Sequence, residues 1–139
     1  MKSARSILLV EDDRVDAMIV QRALKDIKVT NRLDIASDGE KALAFLRNPE
    51  QERPCLILLD LNLPRMNGIE FLGVIKHDAQ LKSIPVVVLT SSDAEQDKVD
   101  SFHLSVAGYM LKPVDYRQFV EVIRVIDLYW TLSELPAGA

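Results

Sequence analysis

The chain has 139 residues, 48% of them hydrophobic and 27% charged, which excludes a disordered or collagen-like polymer and suits one globular domain with a real core. A net charge of −4 offers little to a phosphate backbone, so no nucleic-acid partner is expected. The single cysteine, Cys55, cannot form an internal disulfide, and the first apolar run is only four residues long, so a reduced cytoplasmic protein with no signal peptide and no membrane span is expected.

Residues 6–10 form a short apolar run without alternation, the pattern of a strand buried on both faces, and it ends in Glu11-Asp12-Asp13. Asp12 or Asp13 could cap the helix that follows, whose inner stripe is Ala17, Val20, Leu24 and Ile27. Residues 31–36 read as an edge strand, because Arg32 and Asp34 alternate with Leu33 and Ile35. Ser37 stands three residues before Glu40, a capping-box spacing that predicts a helix through about Arg47. A polar loop with two prolines then leads into Cys55-Leu56-Ile57-Leu58-Leu59, the most apolar run of the chain. That run closes in Asp60, and Pro64 cannot extend a ladder, so the chain leaves the sheet there.

After the turn at 65–68, Ile69, Leu72 and Ile75 line a third helix. The β-branched run 86–89 is a fourth strand that ends at Thr90. Ser92, three residues before Glu95, predicts a fourth helix through about Leu104; few of its residues are apolar, so it should be the least stable element. Residues 108–111 form a fifth strand ending at Lys112-Pro113, and Asp115 opens a long last helix.

Strict alternation of strand and helix predicts an α/β fold: one doubly wound, five-stranded parallel sheet in the flavodoxin order 2-1-3-4-5, with its binding crevice between the first and third strands. Those two strands end in acids. Glu11, Asp12 and Asp60 should converge there, and their repulsion calls for a hard divalent cation, with Mg²⁺ the best fit. Thr90 and Lys112 add a hydroxyl and an ammonium at the same edge. Such a set suits an anion completed by metal and lysine, and a phosphoryl group that a carboxylate accepts is the natural one.

The order of acid pair, Asp60 closing the third strand, Thr90 closing the fourth and Lys112-Pro113 after the fifth resembles the CheY-like receiver domain of bacterial two-component response regulators, over residues 5–128. The resemblance implies that Asp60 is the phosphoacceptor for a histidine kinase. It further implies that Asp12 is a direct Mg²⁺ ligand, that Glu11 acts through water, and that Asn62 serves through its backbone carbonyl. Thr90 and Lys112 would each hold a phosphoryl oxygen, Tyr109 would be the aromatic switch, and the Lys112-Pro113 bond would be cis. Asn62 and Ser92 would tune acyl-phosphate hydrolysis. Each residue also has a plainer role open to it: Lys112 as a surface charge, Tyr109 as a half-buried strand residue, Ser92 as a helix cap. His77 and His103 are assigned no chemistry.

In the last helix Phe119, Ile123, Ile126 and Trp130 form one apolar stripe, and Val122, Val125 and Tyr129 a second about 90° away. One sheet face needs one stripe, so the wider apolar arc is covered either by the chain's own tail, residues 131–136, or by another molecule, and a symmetric homodimer through Phe119, Val122, Val125, Tyr129 and Trp130 is the expectation. The tail from Asp127 also resembles that of the small response regulators paired with cyanobacterial phytochromes, which makes a phytochrome the expected kinase. The expected organisation is a receiver domain over 1–130 and an extension over 131–139, with no output domain. It would be a signalling switch and not a turnover enzyme. A Mg²⁺-dependent aspartate phosphatase needs a second acid where Asn62 stands, a flavin or nucleotide binder would be repelled by residues 11–13, and a degenerate receiver serving only as a binding module would not keep the full acid, Thr90 and Lys112 set.

Overall fold

The structure, a computed structural model, describes residues 5–90, 93–101, 104, 106–111, 116–121 and 124, with the backbone alone at Thr90, Asp93, Ser101 and Leu111. Strands and helices alternate along the chain as β1 (Ile7–Val10), α1 (Arg14–Asp26), β2 (Leu33–Ala36), α2 (Gly39–Arg47), β3 (Leu56–Asp60), α3 (Gly68–Lys76), β4 (Val86–Thr90), α4 (Asp93–Ser101) and β5 (Gly108–Leu111). Residues 116–121 are helical. The five strands pair in parallel in the order β2-β1-β3-β4-β5, as the alternation of elements predicts.

The unalternated runs have a direct cause. Successive side chains of a strand point to opposite faces, and here both faces are covered. Leu8, Val10, Ile57, Leu59, Val86 and Val88 pack under α2 and α3, against Leu43, Leu46, Phe71, Leu72 and Ile75. Their neighbours in sequence, Ile7, Leu9, Leu56, Leu58, Val87 and Leu89, pack on the other side against Ala17, Val20, Ala23 and Leu24 of α1 and against Phe119. Each such side chain taken fully out of water contributes roughly 1.5–3 kcal/mol, which is what holds the carboxyl edge of the sheet rigid.

Several local expectations shift. The cap of α2 is Asp38, not Ser37: the buried Asp38 carboxylate accepts the Lys41 N–H at 2.8 Å, while Ser37 takes the Lys41 ammonium at 3.0 Å. A carboxylate answers the positive end of a helix better than a hydroxyl, so the start moves by one residue and no reciprocal box forms with Glu40. β2 begins at Leu33, and two residues before it the Asn31 side-chain amide donates to the Arg5 carbonyl at 2.7 Å. In α3 the deepest side chains are Phe71, Leu72 and Ile75, with Ile69 only half-buried. α4 is described over Asp93–Ser101, residues 102 and 103 lying outside the described residues, and among its described side chains only Val99 is buried.

Candidate functional site

Parallel pairing puts Val10 beside Leu59, so the residues that follow, Glu11 and Asp60, leave the same edge side by side. One carboxylate oxygen from each of Glu11, Asp12 and Asp60 lies within 4.8 Å of the others. Glu11 and Asp60 are each only 2% exposed, whereas Asp12 faces solvent. Two like charges at that separation repel by roughly 1 kcal/mol in water and roughly 3 kcal/mol at an effective dielectric of about 20. A cluster of three hard, anionic oxygens, two of them out of water, fits a divalent cation that takes carboxylates and retains water.

Asp13 stays out of this cluster. Its carboxylate caps α1, accepting from the Val15 and Asp16 N–H groups at 2.8 and 3.1 Å, and its own N–H donates to Glu11 Oε2 at 3.3 Å. The three consecutive acids therefore divide their work: Glu11 and Asp12 enter the cluster, and Asp13 fixes the helix start that positions them.

The Asp60 side is held by backbone. The Asn62 N–H donates to Asp60 Oδ1 at 3.0 Å and orients the carboxylate, while the Leu61 carbonyl accepts from the Gly68 N–H at 3.0 Å. A Cβ at Gly68 would lie 2.5 Å from Leu61 Cα and 2.6 Å from the Asp60 carbonyl oxygen, so only glycine lets α3 start this close. Asn67 caps that helix through the Glu70 N–H at 2.9 Å. Arg65, at φ 64°, makes the left-handed bend between Pro64 and the cap.

Thr90 ends β4 at the same edge, paired with Leu111, one step beyond the Asp60–Leu89 pair. Lys112, Pro113 and Ser92 lie outside the described residues, as do Val122, Val125, Tyr129 and Trp130 of the expected dimer surface; of that surface Phe119 is described, and it is fully buried in the sheet's own core. Tyr109 is half-buried, and its hydroxyl donates to Asp100 Oδ1 of α4 at 2.7 Å. Burial, then the bond to and the charge of Asp100, push the phenol well above its ordinary range. The Asn62 side chain reaches α4 too, its amide donating to Glu95 Oε1 at 3.3 Å. Neither Glu95 nor Asp100 was legible as a site neighbour, since each reads as one acid among several on a polar helix.

The sequence matches the response regulator receiver domain over residues 7–124. The chain belongs to this family. This receiver is 42% identical over 137 residues to response regulator Rcp1 of Synechocystis sp., covering 95% of this chain and 93% of that one. The crystal structure of the Mn(2+)-bound form of Rcp1 superposes with a TM-score of 0.75 at 40% identity, covering 96% and 97% of the two chains. The phosphorylated cyanobacterial phytochrome response regulator RcpA gives 0.78 at 38%, covering 97% and 100%. The bacteriophytochrome response regulator RtBRR gives 0.80 at 44%, covering 86% of this chain and 76% of the other. Receivers of phytochrome systems are thus among its similar proteins, and its acidic cluster fits a divalent-metal site. Among the described residues no helix is long and apolar enough to cross a membrane.

Proposed function

We propose that this receiver is a phosphorylation switch in which Asp60 takes a phosphoryl group from the phosphohistidine of a histidine kinase, with a phytochrome the candidate that the relatives above support. An Asp60 oxygen forms the new bond to phosphorus, the phosphorus–nitrogen bond breaks, and the imidazole leaves with its electron pair and takes up a proton. A bound Mg²⁺ supplies positive charge against the phosphoryl oxygens. Asp12, Asp60 and the Asn62 carbonyl would hold it, with Glu11 acting through water. The Asn62 N–H keeps Asp60 aimed, and Thr90 and Lys112 are assigned to the remaining phosphoryl oxygens. Each chain takes one phosphoryl group and loses it again, so the protein signals instead of turning over substrate. Tyr109 and α4 carry the change to partners, and the last helix, through Val122, Val125, Tyr129 and Trp130 and without Phe119, which the sheet's own core already buries, joins two copies in a homodimer. Residues 1–130 would form the receiver and 131–139 an extension, in a cytoplasmic protein.

The observation that carries this reading is the meeting of Glu11, Asp12 and Asp60 within 4.8 Å at the sheet's carboxyl edge. The test is intact mass after treatment with acetyl phosphate, with and without Mg²⁺, on wild type and Asp60→Asn. Wild type should gain one phosphoryl mass only with Mg²⁺, and the variant none. Equal uptake by the variant names the wrong residue; no uptake by either leaves a binding module.

A further inference from the structure

α4 is an odd helix to find beside a switch. Its described side chains are mostly exposed and polar, and Val99 alone among them is buried, so apolar packing does little to hold it against the sheet. Side-chain bonds also reach it from elsewhere in the fold, and in two of them α4 supplies the acceptor. Toward its end Asp100 takes the Tyr109 hydroxyl from β5, and in its first turn Glu95 takes the Asn62 amide.

The second bond differs in what stands behind it. Asn62 holds Asp60 Oδ1 with its backbone N–H at 3.0 Å and Glu95 with its side chain at 3.3 Å, so one residue touches the reactive carboxylate and the helix together. Resting on the reading of Asp60 given above, we propose that Glu95 is a positioning residue: through Asn62 it ties the state of the Asp60 carboxylate to the seating of α4. Nothing in this link passes through Tyr109.

The direction follows from ordering. A cation on the carboxylate cluster immobilises Asp60, and with it the Asn62 backbone that Asp60 accepts from. The Asn62 side chain then has less freedom to lose in meeting Glu95, so the cation and the seated helix favour each other. Linkage makes the effect reciprocal: whatever factor Mg²⁺ contributes to α4 seating, seating returns to Mg²⁺ affinity.

The experiment is amide hydrogen exchange over α4 in the full chain, with and without saturating Mg²⁺, beside a direct Mg²⁺ titration. In wild type, Mg²⁺ should slow α4 exchange. Glu95→Ala should speed metal-free exchange about fivefold, the factor of one net hydrogen bond, and remove most of the response to Mg²⁺. Glu95→Gln keeps an acceptor oxygen and should restore the response. Asp100→Ala should also speed exchange, yet leave the helix responsive to the cation, because it cuts the other tie. An α4 that answers Mg²⁺ equally in wild type and Glu95→Ala overturns the proposal, as does a wild-type helix indifferent to Mg²⁺ that the titration shows bound. Absence of Mg²⁺ binding in wild type would instead overturn the functional reading beneath it.

Discussion

Two glycines of one helix should respond to the same substitution with opposite sign. Gly68 opens α3, and a methyl group there would sit 2.5 Å from Leu61 Cα and 2.6 Å from the Asp60 carbonyl oxygen. Both contacts are backbone in a segment held by the Asn62 N–H and the Leu61 carbonyl, so neither can swing away. Relief requires the helix start to retreat by on the order of 1 Å, and forcing a methyl group into a packed position costs about 1–3 kcal/mol. Against this, alanine gains roughly 0.5–1 kcal/mol over glycine inside a helix, and less at its first position. The clash wins, and Gly68→Ala should destabilise by about 2 kcal/mol, or roughly 5–10 °C in Tm. Gly73, with nothing within 4 Å of its would-be Cβ, has only the helical gain and should stabilise by roughly 0.5–1 kcal/mol on substitution to alanine. Urea unfolding followed by circular dichroism separates them, with equal m-values and midpoints moving apart. Because the retreat pulls on the Leu61 carbonyl, next to Asp60, Gly68→Ala should also weaken Mg²⁺ binding while Gly73→Ala leaves it alone. A Gly68→Ala protein as stable as wild type would refute the steric account of why Asp60 stands where it does.

Asp12→Asn relieves like-charge repulsion in a cluster whose oxygens lie within 4.8 Å, so it should stabilise the metal-free protein by about 1 kcal/mol and abolish the Tm rise expected of wild type on adding Mg²⁺; thermal melts with and without Mg²⁺ measure both. Lys28 closes α1 at φ 64°, where its N–H bonds the Lys25 carbonyl and the Val29 N–H bonds that of Leu24, so Lys28→Gly should stabilise by about 1 kcal/mol in the same urea assay. Tyr109 has a folded pKa above its ordinary 10.0, so its contribution is complete below pH 10. As pH rises further the unfolded chain ionises while the folded one stays protonated, and stability falls. Denaturant midpoints at increasing alkaline pH should fall less steeply in Tyr109→Phe than in wild type.

What could be read in advance was decided by burial along the chain. β1 and β3 stood out because both their faces are covered, which removes alternation, and the acids stood out because they end those runs. Parallel pairing did the rest: once β1 lies beside β3, Glu11 and Asp60 must be neighbours, whatever their distance in sequence. Ile35 marks where that logic weakens. It pairs with Leu9, which is fully buried, yet is itself 47% exposed, because β2 is the sheet's edge and no further strand flanks it. Helix starts were legible to within a residue, since Ser37 and Asp38 are both competent caps and the charge of the carboxylate separates them. Contacts between polar side chains far apart in sequence were not legible at all. Asn62 and Glu95 are 33 residues apart, and no periodicity or motif marks a pair that meets only because the loop after β3 and the first turn of α4 share the carboxyl edge. The same polar composition that marked α4 as weakly held also hid what holds it. A helix seated by apolar packing announces its partner face as a stripe, whereas one whose contacts run through polar side chains reads as solvent-exposed along its length. Its one buried described side chain, Val99, is too little for the sequence to mark the face that α4 turns to the sheet.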